Sequence, residues 1–133
     1  MANVILNEKQ HEAVLQTEGP LLILAGAGAG KTKTITERIV EIVKKGTDPR
    51  AVLAVTFTNK AAKEMRERII SRLEDEHIIE KENPFHPTPI IKTFHSLGLM
   101  ILSEYGNRLG LHRHPTILDA PDALTIIKGA VEQ

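Results

Sequence analysis

The spacing of hydrophobic positions changes several times along the chain, and each change marks an element. Asn7-Glu8-Lys9-Gln10 opens a short helix: Asn7 stands at the N-cap and Gln10 three residues later, the capping-box spacing, with Ala13, Val14 and Leu15 as an apolar side. Gly19-Pro20 ends it. Leu21-Leu22-Ile23-Leu24-Ala25 is apolar without alternation, the pattern of a strand covered on both faces in a parallel sheet. A glycine-rich turn then leads into a helix over residues 31–45, where Ile35, Ile39, Ile42 and Val43 recur at helical spacing. Lys44 and Lys45 suit its last turn, and Gly46 suits the position beyond.

Residues 52–57 predict a second strand, with Thr58 as cap of a helix starting at Asn59. That helix carries Ala62, Met65, Ile69 and Leu73 on one stripe and the i,i+4 pairs Lys60/Glu64, Lys63/Glu67 and Glu64/Arg68 opposite. Residues 74–89, acidic and broken by Pro84, Pro87 and Pro89, predict a surface loop. Residues 89–94 predict a third strand and 95–105 a helix with Leu97, Met100, Ile101 and Leu102 inward. A loop over 106–116 precedes a last helix from Ala120, with Ala123, Ile126, Ile127 and Ala130 on one side. Helix, three strand–helix units and a final helix together predict the α/β class, a parallel sheet flanked by helices. Three strands are few for such a sheet, so the fold is expected to be incomplete.

Composition narrows the function classes. The chain has 133 residues, one domain's worth, and 41% of them are hydrophobic, enough for a core. Lys plus Arg and Asp plus Glu number 17 each, which excludes a dominant basic footprint while leaving room for a local basic strip. Cysteine is absent, so neither a disulfide framework nor a thiolate metal site is expected. No apolar run reaches the ~18–20 residues that span a bilayer, and no secretory leader pattern opens the chain. The expectation is a soluble, cytoplasmic domain with no membrane partner.

The strongest chemical signal is Ala25-Gly26-Ala27-Gly28-Ala29-Gly30-Lys31-Thr32, which matches the phosphate-loop pattern G-x-x-x-x-G-K-[ST] with Ala25 in place of the first glycine. A phosphate chain needs converging N–H donors; glycine lets backbone approach closely and adopt positive φ, and the following helix aims its free N–H groups and positive dipole end at the anion. In that pattern Lys31 bridges β- and γ-phosphate oxygens and Thr32 offers its hydroxyl to Mg²⁺, so ATP with Mg²⁺ is the expected ligand. A ligand-free glycine turn is the plainer alternative.

Four motifs carry a resemblance. Residues 6–13, Leu-Asn-Glu-Lys-Gln-His-Glu-Ala, precede the glycine-rich loop; Ala54-Val55-Thr56-Phe57-Thr58-Asn59-Lys60-Ala61-Ala62-Lys63-Glu64-Met65-Arg66-Glu67-Arg68 follows, then Thr93-Phe94-His95-Ser96-Leu97. In this order and spacing they resemble UvrD/Rep/PcrA-type superfamily 1 DNA helicases, over about residues 6–118. The resemblance implies an incomplete P-loop NTPase (RecA-like) fold, with residues 1–110 the N-terminal part of ATP-binding domain 1A and 111–133 the start of helical subdomain 1B. It implies that Gln10 pairs with the adenine edge, where the capping box is its other role, and that Lys33 stands where the family commonly has an Arg flanking adenine. It implies DNA contact by Phe57, Thr58, Asn59, Thr93, Phe94 and His95; for Phe57 the plain alternative is core packing. Lys63 and Arg66 read better as a solvated helix face than as a phosphate strip. His112-Arg113-His114 reads as loop rather than metal site.

The family's acidic pair closing an apolar strand has no counterpart: Ile117-Leu118-Asp119 is too short, and Asp119 reads as a helix cap. The expectation is therefore the ATP-binding portion of a 3′–5′ helicase or translocase on single-stranded DNA and single-/double-strand junctions, without hydrolysis by these residues alone. A helicase–nuclease subunit, a small P-loop regulator and a DNA-binding module with a vestigial nucleotide site are the alternatives. An unpaired sheet edge would favour self-association.

Overall fold

A computed structural model of the chain describes residues 5–80, 83, 85–111 and 120–131. Contacts divide the chain into two compact units, Met1–Phe94 and His95–Gln133.

In the first unit, α1 (Glu8–Leu15) starts as the capping box requires: the Gln10 N–H donates to Asn7 Oδ1 at 2.9 Å, and the Asn7 N–H donates to Gln10 Oε1 at 3.0 Å. Its apolar side is Ala13 and Val14 alone, since Leu15 is exposed. Its C-terminal carbonyls are held by α2 (Lys31–Lys44): Arg38 Nη1 donates to Ala13 O and Gln16 O, and Lys45, just beyond α2, donates to Leu15 O. Helix α2 buries Ile39, Val40 and Val43, and Gly46 closes it by donating to Val43 O. Strands β1 (Leu53–Thr56) and β2 (Ile90–Thr93) pair in parallel, in register from Leu53 opposite Ile90 to Thr56 opposite Thr93. Helix α3 (Asn59–Asp75) begins at Thr58, whose Oγ1 accepts the Ala61 N–H at 3.1 Å, and buries Met65, Ile69 and Leu73.

The core lies where α2, α3 and the two strands meet, with Ile69 and Leu73 wholly buried among Ile39, Val40, Val43, Ala54 and Ile91. Each buried Ile, Leu or Val side chain contributes roughly 1.5–3 kcal/mol by leaving water. Ile79 joins them, which the acidic, proline-broken stretch 74–89 did not foretell: the chain turns after α3 through His77 and folds Ile78 and Ile79 back onto it.

The expected first strand, over residues 21–25, does not form. These residues belong to no helix or ladder among the described residues, and Leu22 and Leu24 are 79% and 85% exposed. Strand pairing is tertiary: an apolar run becomes a strand only when a neighbour supplies donors and acceptors. Here Leu21 and Ile23 line, with Leu53 and Val55 of β1, a cleft of about 400 Å³. The sheet among the described residues is therefore two-stranded, mixed with helices, and parallel as expected.

The outer border of β2 is treated differently. The Ile90 N–H donates to Val52 O, so Ile90 faces the sheet and, by alternation, Ile91 faces away. Arg66 of α3 donates to Ile91 O at 2.8 Å and satisfies that carbonyl. Of the i,i+4 pairs expected on α3, Lys63–Glu67 forms, at 4.0 Å and exposed.

The second unit holds the rest of α4 (Phe94–Tyr105), a 3₁₀ turn over Gly106–Leu109 and α5 (Ala120–Val131). Ile101 and Leu102, expected inward, are exposed, as are Ile126 and Ile127. His112, Arg113, His114 and Asp119 lie outside the described residues. No helix among the described residues is long and apolar enough to cross a membrane.

Candidate functional site

The glycine-rich loop sits between the apolar run 21–25 and the start of α2. Gly28 and Gly30 both take left-handed backbone, φ +75° and +78°, and Gly30 is the N-cap residue of α2. Two positive-φ turns within three residues bend the chain into a tight hollow, for which glycine is the unstrained residue. The Ala29 N–H donates to Gly26 O at 3.3 Å, closing the turn. Lys31 reaches back across it, and its Nζ donates to Ala25 O at 2.9 Å and Gly26 O at 2.6 Å. Thr32 is exposed in the first turn of α2, with no bond from its hydroxyl among the described residues. No side chain caps α2, so its first amides are left to the loop side.

A cleft of about 250 Å³ borders this hollow, and Asn7, Gln10, Ala25, Ala29, Lys31 and Thr34 are among its lining residues. Gln10 lies at the loop, 19 positions away in sequence; its Nε2 donates to Ala29 O at 2.9 Å. Lys33 turns toward the N-terminal segment and donates to Ile5 O at 2.6 Å. The residue the sequence reading missed is Thr34, 1% exposed at the floor. Its Oγ1 donates to Gly30 O at 3.1 Å, the back-bond a Thr makes four residues into a helix, and that spacing was its signal.

The loop's helix is anchored from behind by ion pairs. Arg72 of α3 donates to both oxygens of Glu37, at 2.9 and 3.1 Å, and to Glu76 at 3.0 Å, while Lys44 meets Glu76 at 2.8 Å. The Glu37 carboxylate holds the Arg72 guanidinium above its ordinary pKa. Lys44, and then Arg72, hold the Glu76 carboxyl below the ordinary carboxylate value.

A second cluster lies at the C-terminal ends of the strands. Phe57 follows β1 and Phe94 follows β2, and the register places them side by side, ring centres 5.2 Å apart and tilted by 50°. They are 86% and 54% exposed, so Phe57 is not a core residue. Asn59 beside them is exposed, and Thr58 caps α3. Thr93 is buried at 6%. His95 is exposed and belongs to the second unit. Among the described residues no group of three or more His, Cys, Asp or Glu could hold a metal.

These two clusters offer distinct chemistry. The loop gathers N–H donors, a cation and a hydroxyl, the groups a polyphosphate with a divalent ion requires. The aromatic pair offers open π-faces on which a flat apolar ring can stack.

Comparison with known proteins agrees with the motif reading. A family model for the UvrD/REP helicase N-terminal domain matches residues 6–133. The ATP-dependent DNA helicase PcrA of Bacillus subtilis is 44% identical over 129 residues, 96% of this chain and 16% of that protein. The PcrA helicases of Staphylococcus epidermidis and Staphylococcus aureus are 43% and 42% identical over 128 residues, again covering 16% of each protein. The chain therefore spans about one sixth of the length of these relatives.

Proposed function

The chain belongs to the UvrD/REP helicase family, and we propose that it is the ATP-binding N-terminal portion of a helicase that moves 3′ to 5′ along single-stranded DNA. Residues 1–110 are the beginning of a RecA-like domain 1A, and 111–133 begin subdomain 1B. The observation that carries this reading is the hollow made by Gly28 and Gly30 at the start of α2, with Lys31 and Thr32 at its mouth.

In this reading the loop amides and the α2 dipole receive the phosphates, and Lys31 leaves the Ala25 and Gly26 carbonyls for the β- and γ-phosphate oxygens. The exposed Thr32 hydroxyl fits Mg²⁺, which when bound neutralises phosphate charge. Gln10 and Lys33 border the nucleoside end. The Phe57–Phe94 ledge stacks successive bases of the strand, with Asn59 toward the backbone and Thr58 and Thr93 shaping the support beneath. His95, in the second unit, is by itself a further candidate for DNA contact.

Titration of the 133-residue chain with ATP and Mg²⁺ tests the reading: saturable binding is expected, weakened at least about tenfold in Lys31→Ala, since a charge-assisted contact to phosphate is lost. Absence of saturable binding would overturn it. Because the sequence offers no acidic pair closing an apolar strand, the same chain is expected to bind without steady-state turnover.

A further inference from the structure

Phe57 and Phe94 stand largely in solvent, so packing beneath the rings does little to fix them. Their separation of 5.2 Å is set by the backbones that carry them. Phe57 is tied to the head of α3: Thr56 Oγ1 donates to Thr58 O at 3.1 Å, and Thr58 Oγ1 accepts the Ala61 N–H at 3.1 Å. Phe94 directly follows β2, a strand that pairs with β1 alone among the described residues. The outer edge of β2 therefore carries carbonyls that no described strand meets, and Ile91 O on that edge accepts from Arg66 Nη2 at 2.8 Å.

That bond lies equally far from the rings along both elements. From Arg66 back to Asn59, at the head of α3, is about 10 Å of helix. From Ile91 on to Phe94 is about 10 Å of strand. Helix and strand are thus two uprights joined by a crossbar, with Phe57 above the head of one and Phe94 above the head of the other. Ile69 and Ile91 share the core, which holds α3 to the face of the sheet. The guanidinium adds a directional, charge-assisted hold at the edge. Without it β2 is tied by hydrogen bonds to β1 alone, and its end is freer to tilt against α3.

We infer, on the reading that this ledge stacks the bases of single-stranded DNA, that Arg66 is a positioning residue for it: through Ile91 and β2 it sets Phe94 at stacking distance from Phe57. An arginine near a DNA strand can also meet phosphate directly, and salt separates the two roles. A phosphate contact releases a counterion, so its loss flattens the salt dependence of binding. A residue that sets ring spacing changes stacking, which does not draw on counterion release, and its loss shifts affinity alike at every salt concentration.

The experiment titrates the full chain with an oligothymidylate carrying one 2-aminopurine, whose fluorescence is quenched on stacking, across a salt series. Arg66→Met keeps the apolar stem and removes the donors. Arg66→Gln keeps a polar side chain on the helix and serves should the methionine variant fold poorly. Each is expected to weaken oligonucleotide binding by about fivefold with the salt slope unchanged, to reduce the quenching at saturation, and to leave ATP affinity within about twofold. In a Phe94→Ala background the same substitution is expected to add less than about twofold, because the ring it positions is gone. A salt slope that falls by about 0.7, the share of one phosphate on a single strand, overturns the inference and leaves the ledge reading standing. So does undiminished binding, an equal loss of ATP affinity, or a full fivefold loss in the Phe94→Ala background. A wild-type chain that binds no oligonucleotide, or a Phe57→Ala chain that binds it as wild type does, overturns both.

Discussion

Gly30 answers three demands at one position. Its backbone is left-handed at φ +78°, it caps α2, and its bare Cα leaves room for the Gln10 amide. An alanine there meets a backbone cost of about 1–2 kcal/mol for the left-handed conformation and must also push Gln10 Nε2 aside. Gly30→Ala is expected to lower the denaturation midpoint by that order and to weaken ATP binding; a fully stable, fully binding variant would show that the loop relaxes out of this conformation. The glycine and lysine positions were legible in the sequence because their spacing is local. The bond from Gln10 to Ala29 was not, because a capping residue announces its own helix and says nothing of a carbonyl 19 positions away.

At the scale of elements, the helices form where capping and periodicity place them because both are properties of contiguous residues, while Ile101 and Leu102, expected inward on α4, are exposed. Asn7 and Thr58 cap where expected, and the stripe Met65, Ile69 and Leu73 turns inward on α3. The run 21–25 failed as a strand because its pattern states only that it is apolar, and no ladder partner meets it among the described residues. Helices α2 and α3 are tied through Glu76, and that tie is pH-dependent. Its carboxyl is held below the ordinary value chiefly by Lys44 and then by Arg72, so the folded chain binds the proton more weakly than the unfolded one. The stabilisation is therefore present above the ordinary carboxylate value of about pH 4.3 and lost as pH falls through the lowered one. Replacing Glu76→Gln is expected to lower stability by about 0.5–1 kcal/mol at pH 7, with the difference from wild type closing in denaturant melts carried down to acid. A difference independent of pH would place the effect in packing instead.

For the whole molecule, the core of the first unit is small, and Leu73 and Ile69 at its centre are wholly buried. Leu73→Ala is expected to destabilise that unit by roughly 3 kcal/mol, a large share of the stability of a domain this size, read as a shifted urea midpoint. A shift under about 1 kcal/mol would mean that the core collapses around the gap. The α/β class was legible because helical stripes and apolar runs alternate along the chain. The contribution of Ile79 was not, because a loop's return to the core depends on what α3 leaves uncovered. The two flanks of the sheet also differ in a way no periodicity encodes. With its guanidinium seated on the Ile91 carbonyl, Arg66 hems one selvage of the fabric, so a stray chain seeking to knit itself on there must first evict a cation, and crowding is resisted from that side without any cost to the weave within.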